Sequence, residues 1–279
     1  MKKIAFIGVG NMAGAILSGI IQARDGKPFD SDVILFNRSR EKIEKYRENG
    51  AVIAESIKEA VEAADYIFLC VKPQNFPDIL PQLASCDGVA DKVFVSIAAG
   101  ISMKTVSDAT GGAAVVRAMP NTPMIIGKGV IAVCRDSLTS DEDFSAICDI
   151  FALSGKVISI DESEMNRIIC VTGSSPAYVF LMIKAMCEGA VSQDLLKGEA
   201  DGGLSEKELI DSICDTIIGA ATLMKTGTKT PDEQIATVAS KGGTTERAIA
   251  ELINYNFCEG VISAMQKCTD RADELGASK

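Results

Sequence analysis

Short apolar runs alternate with helical patterns over the first 160 residues of the chain. Eight of these runs are rich in β-branched and aromatic residues and predict β-strands at residues 4–7, 33–36, 52–54, 66–71, 93–97, 114–118, 130–134 and 157–160. Several are apolar at every position, which is the pattern of strands buried on both faces of a parallel sheet. We therefore expect a doubly wound α/β domain over residues 1–160.

Beyond residue 160 the β-rich runs stop and helical periodicity takes over. Ser205 and Thr230 each precede a glutamate by three positions, a capping box that predicts the start of a helix. A single long helix is predicted from Thr245 toward Leu275, and its apolar face is typical of a helix that packs against a partner chain. We expect residues 161–279 to form an all-α domain, with residues 197–203 as a polar loop.

The N-terminal segment has two interpretations. Its lysines and apolar residues resemble a secretion signal, but Asn11 and the glycines around it interrupt the apolar run that such a signal needs. The alternative is a buried strand, a turn from Gly8 to Asn11 and a helix over residues 12–23. We favour this second interpretation and expect neither a cleaved signal nor a membrane span here.

The turn matches the G-x-G-x-x-A pattern of dinucleotide-binding folds. Gly8 permits the turn, Gly10 lets a pyrophosphate approach the backbone, and the small Ala13 lets the helix pack on the strand. The dipole and free amides at the helix N-terminus favour an anion. A tight turn without a ligand is the alternative, but the position directly after the first strand favours a Rossmann-type coenzyme site.

The end of the second predicted strand indicates which coenzyme binds. Enzymes that use NAD place an acidic residue there for the ribose 2′-hydroxyl, whereas this chain has Asn37, Arg38 and Ser39. A guanidinium suits a 2′-phosphate, so the sequence favours NADPH, with NADH as the alternative coenzyme. The other interpretation of Arg38 is an ordinary solvated surface charge.

The composition of the chain excludes several classes of partner and catalytic site. The net charge of −10 disfavours a nucleic-acid partner, and the nine cysteines form no C-x-x-C pair, so no disulfide framework is expected. We expect buried thiols in a reducing cytoplasm. The chain has no histidine, so it lacks both the commonest general base and a zinc-site pattern. A coenzyme must therefore carry the chemistry.

Three loops follow predicted strands and therefore lie at the carboxyl edge of the sheet, where ligands bind in such folds. One contains Lys72 and Pro73, and the second is Ala98-Ala99-Gly100. The third contains Asn121, whose amide side chain is held between two nearby prolines. Rigid turns without a ligand are the alternative interpretation of all three.

A second anion site is predicted in the helical region. Gly242 and Gly243 directly precede the last predicted helix and leave several backbone amides unpaired. Such amides bind a carboxylate without an arginine or a metal. The other interpretation is a helix start at which Thr244 or Thr245 only acts as a cap.

These motifs occur in the order found in pyrroline-5-carboxylate reductases, which the chain resembles over nearly its whole length. The motifs are Ile7-Gly8-x-Gly10-Asn11-Met12, Val71-Lys72-Pro73-Gln74, Ser96-Ile97-Ala98-Ala99-Gly100, Arg117-x-Met119-Pro120-Asn121-Thr122-Pro123, Gly173-Ser174-x-Pro176-Ala177-Tyr178 and Gly242-Gly243-Thr244-Thr245. The resemblance implies reduction of the cyclic imine 1-pyrroline-5-carboxylate to L-proline by NAD(P)H, the last step of proline biosynthesis. It also implies a Rossmann domain followed by a helical dimerisation domain, an active site between them, and homodimers that assemble into larger rings.

The residue patterns and the resemblance together assign candidate roles. Thr245 is the catalytic candidate, because the resemblance places its hydroxyl at the ring nitrogen of the substrate. The candidate substrate-binding residues are Ser240, Gly242, Gly243, Thr244 and Asn121. The candidate coenzyme-binding residues are Ile7, Gly8, Gly10, Asn11, Met12, Ala13, Asn37, Arg38, Ser39, Val71, Lys72, Pro73, Ala98, Ala99 and Gly100. No metal ligand is expected.

Five positions depart from the family pattern. Lys241 stands where the family usually has proline, Ser175 replaces a glycine, and Ile57 stands about where members often carry an asparagine that contacts the coenzyme. Asn166 and Ile169 replace a commonly acidic residue and a commonly hydroxylated one. These departures leave individual contacts and the ring size of the preferred imine open.

Two other functions stay open at this point. A hydroxyacid dehydrogenase of similar two-domain build is expected to have a catalytic lysine and asparagine on the first helix after the Rossmann domain, where only Lys184 is found. A non-catalytic NADPH-binding sensor is expected to lose the loop at residues 240–245, which is present. Both functions rank below the imine reductase.

Overall fold

The computed structural model describes residues 2–25, 27–30, 32–196 and 204–277. Eight strands form one sheet: β1 (Ile4–Ile7), β2 (Val33–Phe36), β3 (Val52–Ile53), β4 (Tyr66–Leu69), β5 (Val93–Ser96), β6 (Ala114–Met119), β7 (Gly129–Arg135) and β8 (Gly155–Ser159). Their spatial order is β3-β2-β1-β4-β5-β6-β7-β8. Each of the eight predicted strands is present, so the predicted fold class is confirmed.

In the described ranges, six α-helices are interleaved with the strands: α1 (Asn11–Ala23), α2 (Glu41–Glu44), α3 (Ile57–Glu62), α4 (Phe76–Ala84), α5 (Met103–Ala109) and α6 (Asp141–Ala152). Five follow the strand ladder: α7 (Ser175–Ser192), α8 (Glu206–Thr226), α9 (Pro231–Val238), α10 (Thr244–Asn254) and α11 (Phe257–Ala277). The order of elements agrees with the predicted change from an α/β to an all-α pattern.

The pairing of β6 with β7 departs from the predicted parallel sheet. This pair is antiparallel, whereas the other six neighbouring pairs are parallel. A parallel connection needs a crossover of about a dozen residues or more. Residues 120–128 join β6 to β7 through one short turn, Thr122–Ile126, so the chain folds straight back.

Alternate residues of the central strands enter two separate apolar clusters. Phe6 and Phe68 belong to one cluster, and their rings stack with centroids 4.9 Å apart. Ile7 and Leu69 belong to the other. Because successive side chains of a strand point to opposite faces, the sheet is buried on both faces. This is why its strands are continuously apolar in sequence.

The chain divides into two compact units. Unit 1 contains Met1–Pro176 and Gln266–Lys279, and unit 2 contains Ala177–Met265. Unit 1 therefore holds the whole sheet together with the last residues of α11. The functional division predicted between residues 160 and 161 stays a prediction.

The starts of two helices in unit 2 are as predicted. Ser205 and Thr230 form complete capping boxes with Glu208 and Glu233. The single helix predicted from Thr245 is wrong, because α10 and α11 are separate helices. Asn256, between them, has a φ of +55°, a left-handed conformation that ends a helix. The predicted loop at 197–203 lies outside the described residues.

Unit 2 buries few of its own apolar side chains. Its apolar cluster contains three buried residues, Ala190, Leu209 and Ile213. The helical segment Ile169–Ser192, most of which lies in unit 2, contains an 18-residue window with a mean hydropathy of 1.4 and is long and apolar enough to cross a membrane by length and composition. A large exposed apolar surface is equally typical of a helix that packs against another protein chain.

Candidate active site

The glycine turn lies between β1 and α1 in unit 1. Gly8 has a φ of +88°, and a Cβ atom placed there would lie 2.5 Å from Val71 Cγ1. Only glycine fits both the conformation and the contact without strain. A Cβ atom on Gly10 would meet no atom of the described residues within 4 Å. The backbone at Gly10 therefore faces open space.

The first turn of α1 can receive an anion. Gly10 is its N-cap residue, and within the described ranges no side chain caps the helix and no acidic side chain lies in its first turn. Backbone amides at a helix N-terminus and the helix dipole both favour a phosphate. The open space at Gly10 and these amides together fit the pyrophosphate of a dinucleotide coenzyme.

The side chain of Asn37 connects the glycine turn to the loop after β2. Asn37 Oδ1 accepts a hydrogen bond of 3.0 Å from Val9 N, and Asn37 Nδ2 donates one of 2.7 Å to Ser39 O. The sequence predicted a ribose contact at this position but not this link, which joins residues 28 positions apart. The only sequence signal for it was an amide in place of the usual carboxylate.

Arg38 and Arg40 differ in their partners. Arg40 pairs with Glu55 at 2.6 Å and with Glu44 at 3.7 Å, and the hydrogen bond to Glu55 is the main reason why the pKa of Arg40 is raised. Arg38 is exposed and belongs to none of the ion pairs found in the described part of the chain. Its guanidinium is thus available to a ligand, whereas that of Arg40 is engaged.

The loops after β4 and β5 lie at the same edge of the sheet as the glycine turn, because β1, β4 and β5 are parallel neighbours. Cys70 N donates to Ile7 O at 2.9 Å, which holds Val71 beside Gly8. Lys72 is exposed and precedes the turn Pro73–Asn75. The structure therefore brings the candidate coenzyme loops together at this edge.

The other coenzyme candidates differ in what they expose. Ile7, Ala13 and Ala98 have side chains that are almost fully buried in the core, so these side chains are not exposed to a coenzyme. Asn11 is exposed and Met12 is half-buried. Side-chain contacts to a coenzyme are thus restricted to the exposed and half-buried candidates.

Asn121 is buried, and its amide is engaged within the protein. Asn121 Nδ2 donates to Thr172 O at 2.9 Å, and Asn121 Oδ1 accepts from Val130 N at 2.9 Å. These bonds join the turn after β6 to the π-helical turn Ile169–Gly173. A contact between Asn121 and a substrate stays a prediction.

The loop before α10 presents backbone amides in unit 2. Gly243 N donates to Ser240 O at 2.9 Å, which closes the loop. Gly242 N donates to Glu246 Oε2 at 2.7 Å. Sequence reasoning missed this contact of Glu246, which resembles a capping box except that the amide belongs to the residue before the N-cap.

The two threonines after Gly243 do not cap α10. Gly243 is the N-cap residue, and no side chain caps this helix in the described ranges, so the capping interpretation of Thr244 and Thr245 is wrong. Thr245 is half-buried and lines a cavity of about 400 Å³. The other residues of this cavity are Ala220, Leu223, Met224, Pro231, Gln234, Ile235, Thr237, Val238 and Ile249.

The cysteines are free thiols, three of them buried, five half-buried and one exposed. Burial raises the pKa of Cys70, beside the glycine turn, and raises that of Cys134 to about 11. Both thiols are therefore protonated at neutral pH, and a thiol is a weak nucleophile. In the described residues, no group of three or more histidine, cysteine or acidic side chains is arranged to hold a metal.

Comparison with known proteins extends these observations to the whole chain. The family model for pyrroline-5-carboxylate reductase dimerisation matches residues 162–275, and the model for coenzyme F420-dependent NADP oxidoreductases matches residues 3–100. The pyrroline-5-carboxylate reductase of Corynebacterium melassecola is 35% identical over 280 residues, covering 99% of each chain. That of Escherichia coli is 33% identical over 279 residues, with the same coverage.

A solved structure agrees with the sequence relatives. The 1-pyrroline-5-carboxylate reductase of Streptococcus pyogenes superposes with a TM-score of 0.85 at 26% identity, covering 98% of both chains. Identity above 30% over nearly the full length, together with this agreement in fold, decides the assignment. The chain belongs to the pyrroline-5-carboxylate reductase family.

Proposed function

We propose that this protein reduces 1-pyrroline-5-carboxylate to L-proline with NAD(P)H, as the last step of proline biosynthesis. The observation that carries the proposal is the identity of 35% to a pyrroline-5-carboxylate reductase over 99% of the chain. The glycine turn and the loop at residues 240–245 supply the two anion sites that the coenzyme and the substrate need. Full-length similarity to this family does not favour the hydroxyacid dehydrogenase or the non-catalytic sensor.

The coenzyme is proposed to bind along the edge formed by the loops after β1, β2, β4 and β5. The amides at the start of α1 hold the pyrophosphate, and the open space at Gly10 admits it. Arg38 binds the 2′-phosphate, which makes NADPH the preferred coenzyme. Asn37 fixes the Arg38 loop relative to the glycine turn, since its side chain forms hydrogen bonds with Val9 N and Ser39 O.

The substrate carboxylate is proposed to bind the amides of the loop that precedes α10. Gly243 N is engaged with Ser240 O, so the amides of Thr244 and Thr245 at the start of the helix are the proposed donors. The neighbouring Glu246 carboxylate already accepts from Gly242 N. A bound carboxylate therefore occupies the side of the helix start away from Glu246, since like charges repel.

The reaction adds a hydride to the imine carbon and a proton to the ring nitrogen. The dihydronicotinamide of the bound coenzyme supplies the hydride. The Thr245 hydroxyl donates a hydrogen bond to the ring nitrogen and so keeps the C=N bond polarised toward nitrogen. A neutral hydroxyl suffices for this role, because the ring nitrogen becomes more basic as the hydride arrives and takes its proton from solvent water, either directly or through this hydroxyl, which water then reprotonates. This agrees with a chain that contains no histidine.

Assembly as a homodimer through the helical region is part of the proposal. The matching family model is one of dimerisation. Leu181 and Ile262 are 66% and 67% exposed in the single chain, and a second copy would bury such side chains. Larger rings of dimers and a cytoplasmic location are proposed as well, the latter because unpaired thiols are typical of a reducing compartment.

The reductase assay is the direct test of this function. Purified protein is mixed with 1-pyrroline-5-carboxylate and either NADPH or NADH, and the loss of absorbance of the reduced coenzyme is followed. A six-membered cyclic imine carboxylate serves as the comparison substrate. We expect turnover with the five-membered ring and a preference for NADPH. Absence of coenzyme oxidation at any concentration of either imine would disprove the proposed function.

Replacement of Arg38 tests the coenzyme preference. We expect Arg38→Ala to raise the KM for NADPH about tenfold or more, because a charge-assisted contact to the 2′-phosphate is lost. The KM for NADH should change little. Arg40→Ala is the control, since Arg40 is engaged with Glu44 and Glu55. Equal losses for both coenzymes in Arg38→Ala would remove Arg38 from this role.

A further inference from the structure

The last turn of α11 packs against the loop that follows β5. Gly100 has a φ of +76°, and a Cβ atom placed there would lie 2.8 Å from Gly276 N and 2.9 Å from Ala272 O. A Cβ atom on Gly276 would in turn lie 2.8 Å from Gly100 O. Backbone contacts backbone at this point because neither residue carries a side chain. The position of the helix end therefore sets the position of Gly100.

A buried arginine connects the same helix turn to the sheet. Arg117, on β6, donates from Nη2 to Asn166 Oδ1 at 2.7 Å, and Asn166 Nδ2 donates to Asp273 Oδ1 at 2.8 Å. The Arg117 side chain is only 4% exposed, and its Nη1 lies 3.7 Å from Glu162 Oε1. A charged residue inside an apolar strand was the sequence signal for such a network.

The network returns to the coenzyme edge through Glu162. Glu162 Oε1 also accepts a hydrogen bond of 2.6 Å from Met103 N, at the start of α5 and just beyond Gly100. The contacts thus form a closed circuit from Gly100 through Met103, Glu162 and Arg117 to the last turn of α11 and back to Gly100. All of these residues belong to unit 1.

Burial of the Arg117 charge makes each of its remaining contacts costly to break. Burial lowers the pKa of Arg117, and the nearby Glu162 carboxylate acts in the opposite direction. Arg117 Nε has no hydrogen-bond partner among the described residues. A buried cation that has few partners loses much of its stabilisation when one of them moves away. Asn166, and through it Asp273, is therefore held firmly.

We propose that Asp273 and Gly276 are positioning residues for the coenzyme. They fix the last turn of α11, and this turn holds the loop Ala98-Ala99-Gly100 in the position that the bound coenzyme requires. Neither residue contacts the coenzyme itself. The proposal rests on the proposed function, which assigns this loop to the coenzyme.

Four variants separate this positioning role from simple packing. Asp273→Ala removes the acceptor for Asn166 Nδ2, whereas Asp273→Asn keeps an oxygen at that place. Asp270→Ala is the matched control, because Asp270 lies one turn earlier on α11 and its carboxylate contacts Gln266 and Lys267 of the same helix. Gly276→Ala places a methyl group against Gly100 O.

The dissociation constant of NADPH, measured by its fluorescence in the absence of imine, and the thermal midpoint of the free protein are the readouts. We expect both Asp273→Ala, which loses a charge-assisted hydrogen bond to Asn166, and Gly276→Ala, which pushes a methyl group against Gly100 O, to raise the dissociation constant about tenfold. Asp273→Asn and Asp270→Ala should stay within about twofold of the parent protein. A purely structural role would lower the midpoint of the first pair without changing their affinity for NADPH.

Two results would overturn the proposal: equal dissociation constants for Asp273→Ala and Asp270→Ala, or an unchanged constant for Gly276→Ala. An equal loss of affinity in Asp273→Asn and Asp273→Ala would also overturn it, since the retained oxygen would then be irrelevant. Because binding is measured without imine, a parent protein that binds NADPH but does not reduce pyrroline-5-carboxylate would disprove the proposed function alone.

Discussion

Unit 1 and unit 2 differ in how far they bury their large apolar side chains. In unit 1, large residues such as Phe6, Phe68 and Phe94 are fully buried on the two faces of the sheet. In unit 2, Leu181 is 66% and Tyr255 is 80% exposed although both lie on or beside regular helices. Both units consist of regular elements, but unit 1 buries its large apolar side chains whereas unit 2 leaves many of its own exposed.

The difference shows where the stability of each unit originates. Burial of apolar surface stabilises a fold by roughly 25 cal/mol for each Å², and unit 1 obtains this from its own chain. Unit 2 has three buried residues in its apolar cluster, so the proposed dimer must supply the rest. The coenzyme turn thus lies on a core that unit 1 forms from its own chain, whereas the proposed substrate loop lies among helices whose exposed apolar faces are proposed to pack against a partner.

The strongest test of this contrast places a charge on each unit. Leu181→Asp, in α7, is expected to abolish the dimer, because a carboxylate buried in an apolar interface costs on the order of several kcal/mol. Leu138→Asp, on unit 1, is the control at a similar exposure of 60% and should have little effect. Light scattering after gel filtration gives the mass of each variant.

If Leu181→Asp stayed dimeric, with a thermal midpoint equal to that of the parent at all protein concentrations, the exposed face of α7 would not be an interface. The contrast between the two units would then need another explanation.

Removal of the Thr245 hydroxyl tests whether unit 2 supplies the group that acts on the ring nitrogen of the substrate. Thr245→Ala is expected to lower kcat roughly 100-fold, the usual loss when one donor to the reacting group is removed. The dissociation constant of NADPH should not change, because the glycine turn lies in unit 1. Thr245→Ser, which keeps the hydroxyl, should recover most of the turnover. A drop in coenzyme affinity that matched the drop in kcat would contradict the proposal that unit 1 binds the coenzyme while Thr245 of unit 2 acts on the substrate.

The two glycines of the coenzyme turn are expected to respond differently. Gly8→Ala forces a side chain into a left-handed conformation and against Val71, so it should lower the free energy of unfolding by about 1–2 kcal/mol or more. Gly10 has open space around it and extended backbone angles. Gly10→Ala should therefore cost less than about 1 kcal/mol of stability, through the poorer N-cap, and weaken NADPH binding.

Urea denaturation and NADPH titration of both variants measure these effects. Unchanged NADPH affinity in Gly10→Ala would show that the pyrophosphate does not approach this turn.

The smallest expected effect concerns a helix cap in unit 1. Ser140 caps α6, and its hydroxyl is the main reason why the pKa of Asp143 is lowered. An acid with a lowered native pKa stabilises the fold above its ordinary pKa, and this contribution is lost as the pH falls through the native value. Ser140→Ala should cost about 1 kcal/mol at pH 7 and less at acidic pH.

Ser205→Ala removes the corresponding cap in unit 2, where Ser205 also lowers the pKa of Glu208. Urea midpoints of both variants, measured at pH 7 and near pH 3, show whether the units unfold together. A single unfolding transition that both variants shift equally would mean that the two units unfold together as one cooperative unit. Two transitions, each shifted by one variant, would sharpen the contrast.

Local patterns were enough for much of the fold. The strands were predictable because the sheet is covered on both faces, which makes their sequences continuously apolar. The glycine turn and the capping boxes at Ser205 and Thr230 were predictable because their hydrogen bonds join residues only a few positions apart. The break at Asn256 was missed, since helical periodicity continues through it while a single residue adopts a left-handed conformation.

Other features depend on residues that are distant in sequence. The link from Asn37 to Val9, the engagement of Asn121 with Thr172, and the circuit through Arg117 each join segments that meet only when the sheet has formed. Periodicity and motif spacing describe which residues belong to a strand, a turn or a helix face. Which distant polar groups meet, and whether an apolar face is covered, depends on packing, because desolvation and hydrogen bonding act between neighbours in space.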